Sequence, residues 1–140
     1  MTVEDTLLIQ AAIDDVWRVT VDVERWPEWA PTVTDVRRLE SAPFGLGSRV
    51  RIKQPGQPET VWTVTEFAVG ERFTWDAARR GLHMRATHEL TPAGDGTRNT
   101  LRVEVTGLLA PLLAPILRPL LRRALVDENR GLQTRCEAAR

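Results

Sequence analysis

The chain has 140 residues, enough for one domain whose single core buries roughly two thirds of the surface that the unfolded chain exposes. Nineteen basic and nineteen acidic residues cancel, so no net field draws in a phosphate backbone, and nucleic acid is not an expected partner. Cys136 is the only cysteine and tyrosine is absent, which excludes an internal disulfide, a thiolate metal cluster and a phenolic acid or base.

The opening M-T-V-E-D-T is acidic and lacks the basic and apolar regions of a secretory signal, so a cytoplasmic location is expected. Residues 3–10 read as a first strand, with Val3, Leu7 and Ile9 on one parity and Glu4 and Thr6 on the other. Asp14 and Asp15 then place negative charge in the first turn of a short helix carrying Val16 and Trp17, at the positive end of its dipole. Asp22 is placed to cap a second short helix that ends in the W-P-E-W-A-P stretch at 26–31.

From Val33 onward the period changes to two. Residues 33–40, 48–54, 60–68, 71–78, 82–92 and 97–106 are six strands, separated by turn signals such as A-P-F-G-L-G, Q-P-G-Q-P and P-A-G-D-G. The alternation of Val50 and Ile52 with Arg49, Arg51 and Lys53, and of Leu101, Val103 and Val105 with Arg102 and Glu104, gives one dry and one wet face. That is the pattern of an antiparallel sheet built from hairpins.

The last third is helical. At 100° per residue, Leu113, Leu117, Leu120, Leu121, Ala124, Leu125 and Leu132 form one stripe, and Arg118, Arg122, Arg123 and Arg130 fall outside it. Pro111, Pro115 and Pro119 recur every four residues on the opposite side, where they are expected to bend the first turns inward around the sheet. The apolar stretch at 108–117 has ten residues and two prolines, against the roughly twenty apolar residues that a bilayer span needs. No integral membrane segment is expected.

Two tryptophans flanking a proline in V-D-V-E-R-W-P-E-W-A-P (21–31), this order of elements, and the final helix opening with L-L-A-P-L-L-A-P-I-L-R-P (108–119) together resemble the polyketide cyclase/dehydrase-like branch of the START-related superfamily, often called SRPBCC. The resemblance covers nearly the whole chain. It implies an α+β helix-grip fold spanning 1–140 as one domain. In that fold a seven-stranded curved antiparallel sheet wraps around a long C-terminal helix, with two short helices after strand 1, and encloses a pocket for an apolar ligand.

The residues give an independent argument for such a pocket. In strand 82–92 the inward parity carries Leu82, Met84, Ala86, His88 and Leu90, and in strand 71–78 it carries Phe73, Trp75 and Ala77. An unpaired buried polar group costs about 1–3 kcal/mol, so His88 needs a partner. Glu128 falls in the middle of the apolar helix stripe, where burial would not select a carboxylate. It either joins His88 inside the enclosure, pairs with Arg85 or an N-terminal arginine, or stands in solvent. Trp75 is the leading wall residue. Trp17 and Trp26 are read as structural, Trp29 is placed near the cavity mouth by resemblance to related proteins, and Trp62 is ambiguous because its strand carries apolar residues on both parities. The expected ligand-binding set is Trp29, Trp62, Phe73, Trp75, Met84, His88, Leu113, Leu117, Leu121 and Glu128.

No activated Ser, Cys or Lys motif, phosphate loop or dinucleotide fingerprint is present, and no cofactor is expected. His83 and His88 lie on opposite strand parities and cannot share a metal ion within one strand. The leading expectation is therefore a binding or transport protein for a small hydrophobic or aromatic molecule. The alternatives are a polyketide aromatase/cyclase or dehydrase using His88 and Glu128 for proton transfer, and peripheral lipid contact through 108–121. Oligomeric state stays open.

Overall fold

Period-two patterning folds into seven strands: β1 (Thr2–Ile9), β2 (Asp35–Arg38), β3 (Arg49–Lys53), β4 (Thr60–Ala68), β5 (Arg72–Arg79), β6 (Leu82–Ala93) and β7 (Gly96–Thr106). The computed structural model describes residues 1–138. Its strands form one antiparallel sheet in the order β1-β7-β6-β5-β4-β3-β2. Consecutive strands from β2 to β7 are hairpin neighbours. The first strand alone joins the far edge beside β7, so β1 and β2 form the two open edges of the sheet.

Between β1 and β2 run α1 (Ile13–Val21) and a 3₁₀ helix (Val23–Glu28). Asp14 and Asp15 occupy the first turn of α1 as the dipole argument requires. Asp22 does not cap the second helix with its side chain. Its carboxylate faces Arg25 at 3.6 Å instead. The joint between the two helices is held from inside: Thr20 Oγ1 donates to the Val16 carbonyl at 2.8 Å, and Trp26 Nε1 donates to the Thr20 carbonyl at 3.0 Å.

The final helix, α2 (Ala110–Ala138), packs across β1 and β7. It is continuous through Pro115 and Pro119. Pro111 falls in its first turn, where a missing N–H costs nothing. Pro115 and Pro119 leave the carbonyls of Pro111 and Pro115 without a helical donor, and all three prolines lie on the exposed side, where water can bond those oxygens. Leu117, Leu121, Leu125 and Leu132 face the core as the stripe predicts. Leu120 does not: it is 63% exposed, because it stands about 100° around the helix from Leu121.

The wet face of the sheet is tied by cross-strand ion pairs. Arg85 Nε meets Asp76 at 3.0 Å and Arg102 Nε meets Glu4 at 2.7 Å, each across a register pair. The dry face divides into two packed clusters. One gathers α1, the 3₁₀ helix and β3–β5 around Trp17, Trp26, Phe73 and Trp75; the other joins β1 and β7 to α2 through Val3, Leu101, Val105 and Leu125.

Beta-bulge in β4 settles Trp62. The register advances from Val64 opposite Trp75 to Glu66 opposite Thr74, so Thr65 is an extra residue and the parity inverts there. Trp62 and Val64 point inward before the bulge and Phe67 packs on the same core after it.

Candidate functional site

A cavity of about 100 Å³ lies in the seam between the two core clusters. Trp26, Ile52 and Trp75 reach it from one cluster, and Leu101, Val103 and Leu125 from the other. The seam lies where α2, resting on β1 and β7, gives way to the 3₁₀ helix, which covers β2 at the opposite edge. Of the sequence-derived set, Trp62, Trp75, Met84, His88, Leu121 and Glu128 line the cavity.

The other four lie elsewhere. Phe73 is fully buried and does not line the cavity, but it stacks on the His88 imidazole opposite it in register, with centroids 4.6 Å apart and planes 13° from parallel. Trp29 lines a surface groove against the C-terminal part of α2. Leu117 packs on the β1–β7 cluster, and half-buried Leu113 lies a turn closer to the helix start. Ala86, Ala124, Val33 and Trp26 also line the cavity. Inward parity signalled Ala86. Trp26 could have been found from its place in the W-P-x-W motif, but which of the motif's two indoles turns inward depends on the local 3₁₀ winding.

His88 is held by rings rather than by a carboxylate. Besides Phe73, it touches Trp26 at 5.2 Å and Trp75 at 5.9 Å, the latter at 87°. Burial pushes its pKa down to about 3, so the imidazole is neutral at neutral pH.

Glu128 comes to the same cavity from α2. It does not reach Arg85, which is engaged by Asp76 on the opposite face of the sheet, and its side chain is only partly exposed. Its Oε1 is closed off with no hydrogen-bond partner, and burial raises its pKa to about 7. Buried side-chain oxygens without a partner are uncommon, and the other one among the described residues is the Oδ1 of Asn99.

The neighbouring residue behaves oppositely. Asn129, fully buried, accepts a hydrogen bond at its Oδ1 from Asn99 Nδ2 at 2.6 Å and donates from Nδ2 to Asp5 Oδ2 at 2.8 Å. This latch pins α2 to β7 and β1, and so fixes where Glu128 stands. Gly131 sits directly beyond: a Cβ there would collide with the Trp29 carbonyl, so the W-P-x-W segment and α2 touch backbone to backbone.

Cys136 is buried, and its thiol is raised to about 11, chiefly by burial, which makes it a packing residue. His83 faces Asp76 on the wet side, away from His88. Among the described residues no group of three or more metal-ligating side chains converges, and no helix is long and apolar enough to cross a membrane.

A curved antiparallel sheet gripping a long C-terminal helix, with a polar-tipped apolar cavity between them, defines a helix-grip domain. The chain belongs to the family described as polyketide cyclase/dehydrase and lipid transport, whose model matches residues 1–137. Among solved structures it is similar to a START superfamily protein from Mycobacterium smegmatis, at 18% identity over 99% of each chain and a TM-score of 0.83. It is also similar to the Zhui aromatase/cyclase from Streptomyces sp. R1128, at 19% identity over 98% of this chain and 93% of that one, with a TM-score of 0.80. The di-domain ARO/CYC StfQ from the steffimycin biosynthetic pathway matches at 18% identity and a TM-score of 0.80, over 99% of this chain and 51% of that one. At these identities the likeness is one of fold. No curated protein matches the chain in sequence.

Proposed function

We propose that this chain binds a small apolar or aromatic molecule bearing one polar group, with the apolar body between the sheet and α2 and the polar group at Glu128 and His88. The observation that carries this reading is the orphaned Glu128 Oε1 in a cavity whose wall is otherwise largely apolar. A guest with a hydroxyl or amine would supply the missing donor. The volume sets the scale. Roughly 150 Å³ of apolar cavity accommodates benzene, so at about 100 Å³ a one-ring guest such as phenol or toluene fits only as α2 moves slightly outward.

The test is calorimetric titration with phenol and with toluene, on the natural protein and on Ala86→Leu, whose added carbons fill the cavity. Phenol is expected to bind more tightly than toluene, and Ala86→Leu to abolish both. Binding that survives the filled cavity sinks the proposal, as does the absence of any binding.

A second reading, proton transfer on a polyketide-like substrate, is favoured by one observation. The Glu128 carboxyl titrates near neutrality, where a general acid or base works best. His88, neutral and weakly basic, then orients a carbonyl or hydroxyl as a hydrogen-bonding partner rather than carrying the proton. The cavity must widen to admit such a substrate. Under this reading Glu128→Gln removes the pH–rate inflection near 7, and His88→Ala abolishes turnover while leaving binding largely intact.

A further inference from the structure

The N-terminal half of α2 has two apolar sides, and only one of them faces the protein. Leu117, Leu121 and Leu125 pack inward. Leu108, Leu112, Ile116 and Leu120 recur every fourth residue on the outside and are 94%, 73%, 62% and 63% exposed. The exposed prolines 111, 115 and 119 fill the same surface between them. Large apolar side chains gathered in this way on an otherwise charged protein mark a contact surface.

The charge around this stripe selects the partner. Arg118, Arg122 and Arg123 are exposed beside it, and Arg80 is exposed at the β5–β6 turn, next to Gly81, where Leu109 docks. From residue 107 to 126 there is no Asp or Glu, and the first acid beyond, Asp127, stands 4.0 Å from Arg123. Neutrality of the whole chain therefore hides a local cationic apolar face about three turns long. A second copy of the same face would bring guanidinium against guanidinium. An anionic lipid surface answers both features at once, taking the leucines into its acyl boundary and the arginines among its headgroups.

We propose that residues 108–123 dock this protein onto anionic membranes, with α2 lying in the plane of the lipid surface. The proposal rests on the outer side of α2 and is independent of what the cavity binds. The same helix roofs the cavity through Leu121, Ala124 and Leu125, so docking places that roof against the lipid.

Vesicle co-sedimentation tests it, with phosphatidylcholine alone or mixed with phosphatidylglycerol. The natural protein is expected to sediment with the anionic vesicles, to be released by salt, and to remain in solution with the neutral ones. Arg122→Gln with Arg123→Gln should weaken the partition roughly fivefold for each charge removed. Leu112→Glu with Ile116→Glu should abolish it. Unchanged circular dichroism and melting in both variants separates lost docking from lost folding. Equal sedimentation with both vesicle types, no sedimentation with either, or a concentration-dependent dimer that Leu112→Glu dissolves would each overturn the proposal.

Discussion

Glu128 and Asn129 are neighbours on one helix, both bring polar atoms out of water, and they are treated oppositely by the fold. Asn129 is bonded on both sides, to Asn99 and Asp5. Glu128 leaves an oxygen without a partner. The first residue spends its hydrogen bonds on holding α2 to the sheet. The second is held in place by that latch and keeps its bonding capacity free for the cavity. A buried polar side chain on an apolar stripe therefore has two distinct meanings, and its partners decide which one applies.

The contrast breaks most visibly at the latch. Asn129→Ala orphans the Asn99 amide and removes the donor to Asp5, at about 2 kcal/mol for each group, so urea denaturation should report a loss of roughly 4 kcal/mol. Replacing both partners together, Asn99→Val with Asn129→Leu, should recover much of that loss, because no buried donor is then left unpaired. If the double variant is as unstable as the single one, satisfaction of the latch is not what stabilises it.

Glu128 gives the next largest effect, and it depends on pH. Its folded pKa of about 7 exceeds the ordinary 4.5, so the folded state holds the proton more tightly than the unfolded chain does. Stability is undiminished below about pH 4.5 and is lost as pH rises to about 7, by about 3 kcal/mol in all. His88 acts in the other direction. Its folded pKa of about 3 lies below the ordinary 6.5, so its contribution is present above about 6.5 and lost as pH falls towards 3. Between 4.5 and 6.5 the two slopes cancel. Glu128→Gln should leave stability near pH 4.5 unchanged, raise it by about 3 kcal/mol above pH 7, and uncover the His88 slope in between. Denaturation midpoints across pH measure all three, and a pH-independent effect of the substitution would refute the burial account.

The smallest effect sharpens the comparison further along the same helix. Alanine in place of glycine inside a helix ordinarily gains about 1 kcal/mol. At Gly131 the added methyl meets the Trp29 carbonyl, so Gly131→Ala should instead lose roughly 2 kcal/mol, read as a lowered melting temperature. A gain there would mean that the W-P-x-W segment yields without cost.

Much of this architecture was legible in the chain. Strand 60–68 was found to the residue, and the inward sets of β5 and β6 follow from parity alone. Glu128 was visible as a carboxylate on an apolar stripe, and His88 as a lone polar residue among inward apolar ones. Trp62 was not readable, because the extra residue at Thr65 inverts parity and nothing in T-V-W-T-V-T-E-F-A announces a bulge. Leu120 was misplaced because a stripe drawn on a helical wheel has no sharp edge, whereas the packed sheet has one.

The sequence by itself determined the order of elements, the antiparallel sheet, and the two polar residues that do not belong in an apolar core. These follow from local periodicity, which every short segment carries within itself. Tertiary structure decided that His88 and Glu128 share one small cavity, that Asn99, Asn129 and Asp5 form the latch, and that Leu112, Ile116 and Leu120 of α2 face outward. Each of those depends on where a helix more than a hundred residues from β1 comes to rest on a curved sheet, and that position is set by long-range packing that no local pattern encodes.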